Sequence, residues 1–292
     1  MFRSDLFAGK RFLITGGGTG LGRIMLERFV ELGADCVICG RRGGVLEATA
    51  REVMAKHPAR RVDAFPVDIR VATAVEEMIE QIWATGPLDG LVNNAAGNFI
   101  SQTKDLSPRA FDAIANIVLH GTFYMTNACG KRWIAEKRKA SVISILTTWV
   151  WTGSPFVVPS AMSKAGVAVM TQSLAVEWGR YGIRLNAIAP GPFPTEGAWA
   201  RLNPMKDDDG DRYRARNPMG RVGKPGELAN MAAFLMSDEV EYINGEVIAI
   251  DGGMGIMGNG TFSNMMAYGE DDWRRIREQI QSTNATDKAK RT

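Results

Sequence analysis

Cysteine, histidine and long apolar runs are all scarce in this chain. Among 292 residues there are three cysteines, Cys36, Cys39 and Cys129, and two histidines, His57 and His120. Cys36 and Cys39 have a C-x-x-C spacing, but they lie in "DCVICG", which reads as a strand. An odd spacing on a strand sends side chains to opposite faces. With so few nitrogen and sulfur ligands no metal site is expected, and the thiols read as buried and reduced. No run approaches membrane-spanning length. The amino-terminal stretch MFRSDLFAGKRFLIT lacks an apolar core long enough for a signal peptide. A soluble, cytoplasmic protein is expected, with no membrane association. A strong charge of one sign is missing too. The net charge is +3, and no RNA- or DNA-binding signature accompanies it, so nucleic acid is not an expected partner. A mildly basic surface would still help an anionic cofactor or substrate to arrive.

What is present is an ordinary globular balance, with 45% hydrophobic and 23% charged residues. Short β-rich runs recur: "RFLIT" (11–15), "DCVIC" (35–39), "RVDAFPVD" (61–68), "LDGLVNN" (88–94), "ASVISIL" (140–146), "IRLNAIA" (183–189) and "EVIAIDG" (246–252). Most gaps between them are long enough for a helix. "LGRIMLERFVELG" spaces apolar residues by three and four and stops at Gly33, a helix-ending signal. "VATAVEEMIEQIWATG" does likewise before Gly86-Pro87. Alternating strands and helices predict an α/β fold with a parallel sheet covered on both faces. No linker divides the chain. One domain is expected over 1–254, followed by a partly flexible extension over 255–292. Within the extension, "DDWRRIREQI" reads as a short amphipathic helix and "QSTNATDKAKRT" as a frayed polar tail. The polar stretch 195–217 reads either as a substrate lid or as a solvated surface excursion.

"LITGGGTGLGRIMLERF" runs strand, glycine turn, helix. Gly16, Gly20 and Gly22 follow T-G-x-x-x-G-x-G, with Thr19 and Leu21 between them. Glycines let backbone approach a pyrophosphate closely, and the helix start offers free N–H groups and a positive dipole end. The second strand ends Cys39-Gly40-Arg41-Arg42. No acid is present there to bond a ribose 2′-hydroxyl, and arginine can grip a 2′-phosphate. NADP(H) is therefore the expected cofactor. The bland alternative is two solvated arginines, which the positive helix end disfavours.

Four patterns line up: the glycine turn, "VDI" at 67–69, "NNAAG" at 93–97, and the 160–164 segment followed by "APGP" at 189–192. Over about residues 8–253 the chain resembles the short-chain dehydrogenase/reductases. The resemblance implies a Rossmann-like, doubly wound sheet of seven strands and a homo-oligomer, often a tetramer. It implies that Asp68 and Ile69 line the adenine and that Asn93, Ala95, Ala96 and Gly97 back the cofactor. Lys164 would bond the nicotinamide ribose, and Pro190, Gly191 and Pro192 would flank the carboxamide.

The family's catalytic set is Asn, Ser, Tyr and Lys, and only Lys164 survives in type. Thr147 stands at the serine position, Ser160 at the tyrosine position and Val118 near the asparagine position. A serine hydroxyl is a poor proton donor to a developing alkoxide. Ordinary ketone or alcohol turnover is thus disfavoured.

"NNAAGNFIS", "SILTTWVWTGSPFVVPSAMSKAG" and "INGEVIAIDGG" resemble the 2,4-dienoyl-CoA reductase branch, which lacks that tyrosine. The resemblance implies hydride transfer from NADPH to a dienoyl thioester, then protonation of the dienolate to a 3-enoyl-CoA. Such a site must stabilise an oxyanion. Asn98 matches an active-site asparagine of the branch and is the first candidate donor; a turn residue bonding its own backbone is the alternative. Thr147 or Thr148 is a second candidate, or a buried threonine bonded to backbone. The mitochondrial-type members keep a tyrosine where this chain has Val150. Trp149 and Trp151 line the acyl or nicotinamide pocket or, the preferred reading, fill the core. Arg201, Arg212, Arg214, Arg216, Arg221 and Lys224 would suit an acyl-CoA's phosphates, or form a mixed solvated surface with Asp207 to Asp209. Two further readings stand beside the first: reduction of a different carbonyl or conjugated substrate, and an NADP-binding sensor or scaffold without turnover.

Overall fold

The computed structural model describes residues 2–195, 211–258 and 260–291. Seven strands form one parallel sheet in the order β3-β2-β1-β4-β5-β6-β7. They are β1 (Arg11–Thr15), β2 (Asp35–Gly40), β3 (Val62–Pro66), β4 (Gly90–Asn93), β5 (Ala140–Ile145), β6 (Ile183–Pro190) and β7 (Val247–Ile250). Every expected strand is found, with bounds that differ from the expected ones by at most two residues at either end. The central strands are buried along nearly their whole length, as a sheet covered on both faces requires.

Helices α1 (Gly20–Glu31), α2 (Gly43–Lys56), α3 (Ala72–Ala84), α4 (Pro108–Ala115), α5 (Gly121–Ala135), α6 (Trp149–Thr152) and α7 (Val158–Gly179) connect the first six strands. In α1, Gly22, Met25, Leu26, Phe29 and Val30 form the buried face, the three-and-four spacing of an amphipathic helix. The chain leaves α1 through Gly33 at φ 97°, a backbone state that glycine reaches without steric cost. Between α4 and α5 a π-turn, Asn116–His120, widens the helix. Val118, near the family's asparagine position, is buried there.

Parallel register aligns the carboxyl ends of neighbouring strands: Thr15 pairs with Cys39, Asn93 with Ser144, and Ile145 with Ile188. Order reverses between β1 and β4, which opens a crevice at that edge, where such sheets take ligands. The three cysteines are buried and unbridged, and burial pushes the Cys39 thiol up to about 12. No group of metal-ligating side chains occurs among the described residues. No helix among them is long and apolar enough to cross a membrane.

The carboxyl terminus differs from expectation. One helix, Glu270–Arg291, replaces the short helix and frayed tail. Glu270, Asp271 and Asp272 fill its first turn, where acids favour the positive dipole end. Arg274 and Arg275 pair back onto Asp271 and Asp272.

Candidate active site

The glycine turn after β1 is held from beneath. The Thr15 hydroxyl accepts the Asn94 and Ala95 backbone N–H groups, both at 2.9 Å. Asn94 Nδ2 returns a bond to the Thr15 carbonyl at 3.0 Å. Gly16 and Gly20 have φ of 67° and 56°. A Cβ on Gly22 would lie 2.4 Å from the Gly16 carbonyl oxygen and 2.5 Å from Asn94 Nδ2. Thr19 caps α1 with no side-chain bond, and the first turn carries no acid. The helix start therefore presents unclaimed N–H donors and a positive dipole end to the crevice. These are the features a pyrophosphate requires, so the residues present fit a dinucleotide.

Beside this turn, three arginines gather around the ends of β2 and β3. Arg42 Nη2 lies 3.5 Å from the Thr19 hydroxyl. Arg70 forks onto Asp68 through Nε and Nη2, at 2.5 to 2.9 Å. That fork, helped by the nearby Arg41 charge, holds the Asp68 carboxyl below its usual range. The Ile69 side chain is buried against Gly121, so an adenine could meet only its backbone. Asn93 likewise turns inward: its Nδ2 bonds Thr126 at 2.9 Å, beneath the sheet end. Ala96 is exposed, while Ala95 and Gly97 line the loop that follows.

Asn98 sits on that loop. Its Oδ1 accepts the Phe99 backbone N–H at 2.9 Å, so the turn reading is true. The same bond fixes the amide's orientation and leaves Nδ2 with no acceptor among the described residues. The two readings of Asn98 are thus compatible. Ile117, from the π-turn, packs on Gly97 and supports this loop.

Thr147 follows β5 and its hydroxyl accepts the Trp149 N–H at 3.0 Å, a bond that leaves its own proton available to a second partner. On α7, Ser160 and Lys164 are four residues apart and share one face. Both are buried, at 3% and 7% exposure. Lys164 Nζ donates to the Ile145 carbonyl at the end of β5. Burial without a carboxylate partner pulls its ammonium down to about 8. Pro190 ends β6, and Gly191 is locked to β7 by a 3.0 Å bond to the Ile250 carbonyl. The Pro192 carbonyl accepts the Gly223 N–H at 3.0 Å.

Val150, in place of the second tyrosine, packs against the buried cluster of Leu146, Val167, Ala187 and Ala189. The tryptophans do not fill the core. Trp151 is 55% exposed, and Trp149 lines a cavity of about 230 Å³ with Ile100, Phe156, Val157, Tyr213 and Arg216. A four-residue helix followed by Gly153 at φ 64° keeps this segment on the surface. Tyr213 and Arg216 come from or follow the helix Asp211–Ala215, inside the expected lid. The rest of that lid, 196–210, lies outside the described residues, as do Arg201 and the Arg212 side chain. Arg214 pairs with Asp211, and Arg221 forks onto Glu227 at 2.7 and 2.9 Å.

The doubly wound sheet, the glycine turn after β1 and the buried lysine bonded to the end of β5 define a dinucleotide-dependent oxidoreductase. Residues 16–255 match the family model described as enoyl-(acyl carrier protein) reductase, and the chain belongs to the short-chain dehydrogenase/reductase family. A Caenorhabditis elegans protein named as a probable 2,4-dienoyl-CoA reductase, (3E)-enoyl-CoA-producing, is 42% identical over 99% of this chain and 95% of its own. A Bacillus subtilis protein named as a probable 2,4-dienoyl-CoA reductase, (2E)-enoyl-CoA-producing, is 42% identical over 84% of this chain and 96% of its own. A crystal structure of a short chain dehydrogenase from Bacillus anthracis superposes with a TM-score of 0.75 at 42% identity, covering 84% of this chain and 96% of that one.

Proposed function

We propose that this protein reduces 2,4-dienoyl-CoA thioesters to 3-enoyl-CoA with NADPH. The observation that carries the reading is the pairing of a fixed amide donor, Asn98 Nδ2, with a buried cation, Lys164, where the family's phenol is absent. The names of the relatives at 42% identity support the same substrate class. Arg41 and Arg42, with no acid at the end of β2, support NADPH over NADH.

When bound, the nicotinamide supplies hydride to C5 of the dienoyl chain. The C4=C5 π electrons then move to C3–C4, those of C2=C3 move to C1–C2, and the thioester oxygen becomes an oxyanion. Asn98 Nδ2 donates to that oxygen, and Thr147 Oγ1 is a second donor at its edge. The Lys164 ammonium adds positive potential along the conjugated chain. Proton delivery to C2 passes through a water held by Ser160 Oγ, with Lys164 keeping that water acidic. Protonation at C2 leaves the C3=C4 double bond. Self-association accompanies this reading, supported by Met162, Val169 and Val176, which form an exposed apolar line along α7.

The test is NADPH oxidation with a dienoyl-CoA, an enoyl-CoA and a simple ketone, with the product's double bond located by NMR. Turnover of the dienoyl-CoA with a C3=C4 product is expected. A C2=C3 product would move the proton to C4, and turnover of the ketone alone would sink the reading.

A further inference from the structure

Loop 153–157 carries two residues with left-handed backbone. One is Gly153, at φ 64°. The other is Phe156, at φ 65°. For a bulky aromatic that state is strained. Burial does not repay the strain, because the side chain is 54% exposed. The conformation is imposed from the side: the Phe156 carbonyl accepts the Ser101 N–H at 2.9 Å. That bond ties the loop after Asn98 to the loop before Ser160. Fold stability alone would favour glycine at 156, as at 153.

The ring stands in the wall of the 230 Å³ cavity. Ile100 of the same cavity lies two residues from Asn98. Trp149, another wall residue, is bonded to Thr147 at 3.0 Å. Val157 accepts the Ser160 N–H at 3.0 Å. Wall residues of the cavity are thus two places from Asn98 or hydrogen-bonded to Thr147 and Ser160, and much of the wall is apolar. Resting on the acyl-CoA reading above, we infer that Phe156 is the specificity-determining wall for the acyl chain beyond the reacting carbons, held there at a cost to stability.

Saturated acyl-CoAs probe this without turnover. The full chain, loaded with NADP⁺, is titrated calorimetrically with butanoyl-CoA and dodecanoyl-CoA. Wild type should bind the longer chain more tightly. Phe156→Gly should weaken dodecanoyl-CoA by about tenfold, the scale of one lost aromatic contact, and butanoyl-CoA by less than about twofold. The same variant should melt at or above the wild-type temperature, since glycine relieves the strain. Phe156→Leu should restore most of the chain-length preference.

Equal weakening of both ligands would assign the cavity to the CoA moiety and overturn the inference. So would unchanged binding, a lowered melting temperature with unchanged chain-length preference, or no acyl-CoA binding by wild type. Dienoyl-CoA turnover with an unaltered length preference in Phe156→Gly removes the inference alone. A length-dependent loss without any dienoyl-CoA turnover removes the reductase reading and leaves the inference standing.

Discussion

Replacing Lys164 by methionine should make the protein less active and, at neutral pH, relieve a burden on its fold. The side chain is 7% exposed and has only a backbone carbonyl, that of Ile145, as its partner. Its value falls from 10.5 to about 8 through burial. The gap corresponds to about 3 kcal/mol against the folded state at pH 7. Below pH 8 lysine is protonated both folded and unfolded, so the whole penalty is present. Between pH 8 and 10.5 the unfolded chain holds more protons than the folded one, and wild-type stability rises with pH. At pH 10 less than about 1 kcal/mol of the penalty remains. Methionine also leaves the Ile145 carbonyl without its donor, a loss of about 1–3 kcal/mol that does not titrate.

The net effect at one pH is therefore small, and its pH dependence is decisive. Urea unfolding followed by tryptophan fluorescence should show the variant-minus-wild-type difference shifting by about 2 kcal/mol towards wild type from pH 7 to pH 10. Parallel stabilities across that range would mean that Lys164 keeps an ordinary solvated value. Turnover should fall in the same variant, by on the order of 10²-fold or more.

Other expectations follow from the same geometry. Asn98→Asp keeps the acceptor for the Phe99 N–H and removes the donor, so kcat should drop by about 10²-fold with little change in melting temperature; an unchanged kcat would take Asn98 out of the oxyanion site. Arg41→Glu should weaken NADPH far more than NADH in a fluorescence titration, and equal losses would refute the 2′-phosphate assignment. Gly22→Ala forces a methyl against the Gly16 carbonyl at 2.4 Å; it should lower both melting temperature and cofactor affinity, and wild-type values for both would contradict the clamp.

The strands were legible because each is a short apolar run bounded by turn residues, and the glycine turn because strand, spacing and helix coincide. Asn98, Ser160 and Lys164 stand out as candidates through their place in long motifs. What escaped depends on contacts between distant segments. Asn94 and Thr15 are 79 residues apart, and nothing local marks their bond. Arg70 follows "VDI" directly, yet its fork onto Asp68 emerges only with the side chains in place. Tyr213 and Arg216 line the same cavity as Trp149, more than sixty residues away in sequence. Residue type favours the core for Trp149 and Trp151, and a short helix ending at Gly153, with its positive φ, overrides that preference. Asn93 and Ile69 sit within cofactor motifs but spend their side chains inside the fold.

The Thr15–Asn94 clamp has a kinetic consequence. It joins the turn that would receive pyrophosphate to the loop that carries Asn98, so the two halves of the site are one hydrogen-bonded block. Whatever stiffens one end stiffens the other, and the ordering cost is met by whichever ligand arrives first. Dinucleotide and thioester should then each raise the other's affinity by the same factor. Steady-state kinetics should look sequential, and each ligand's dissociation constant should fall by the same factor when the other is saturating.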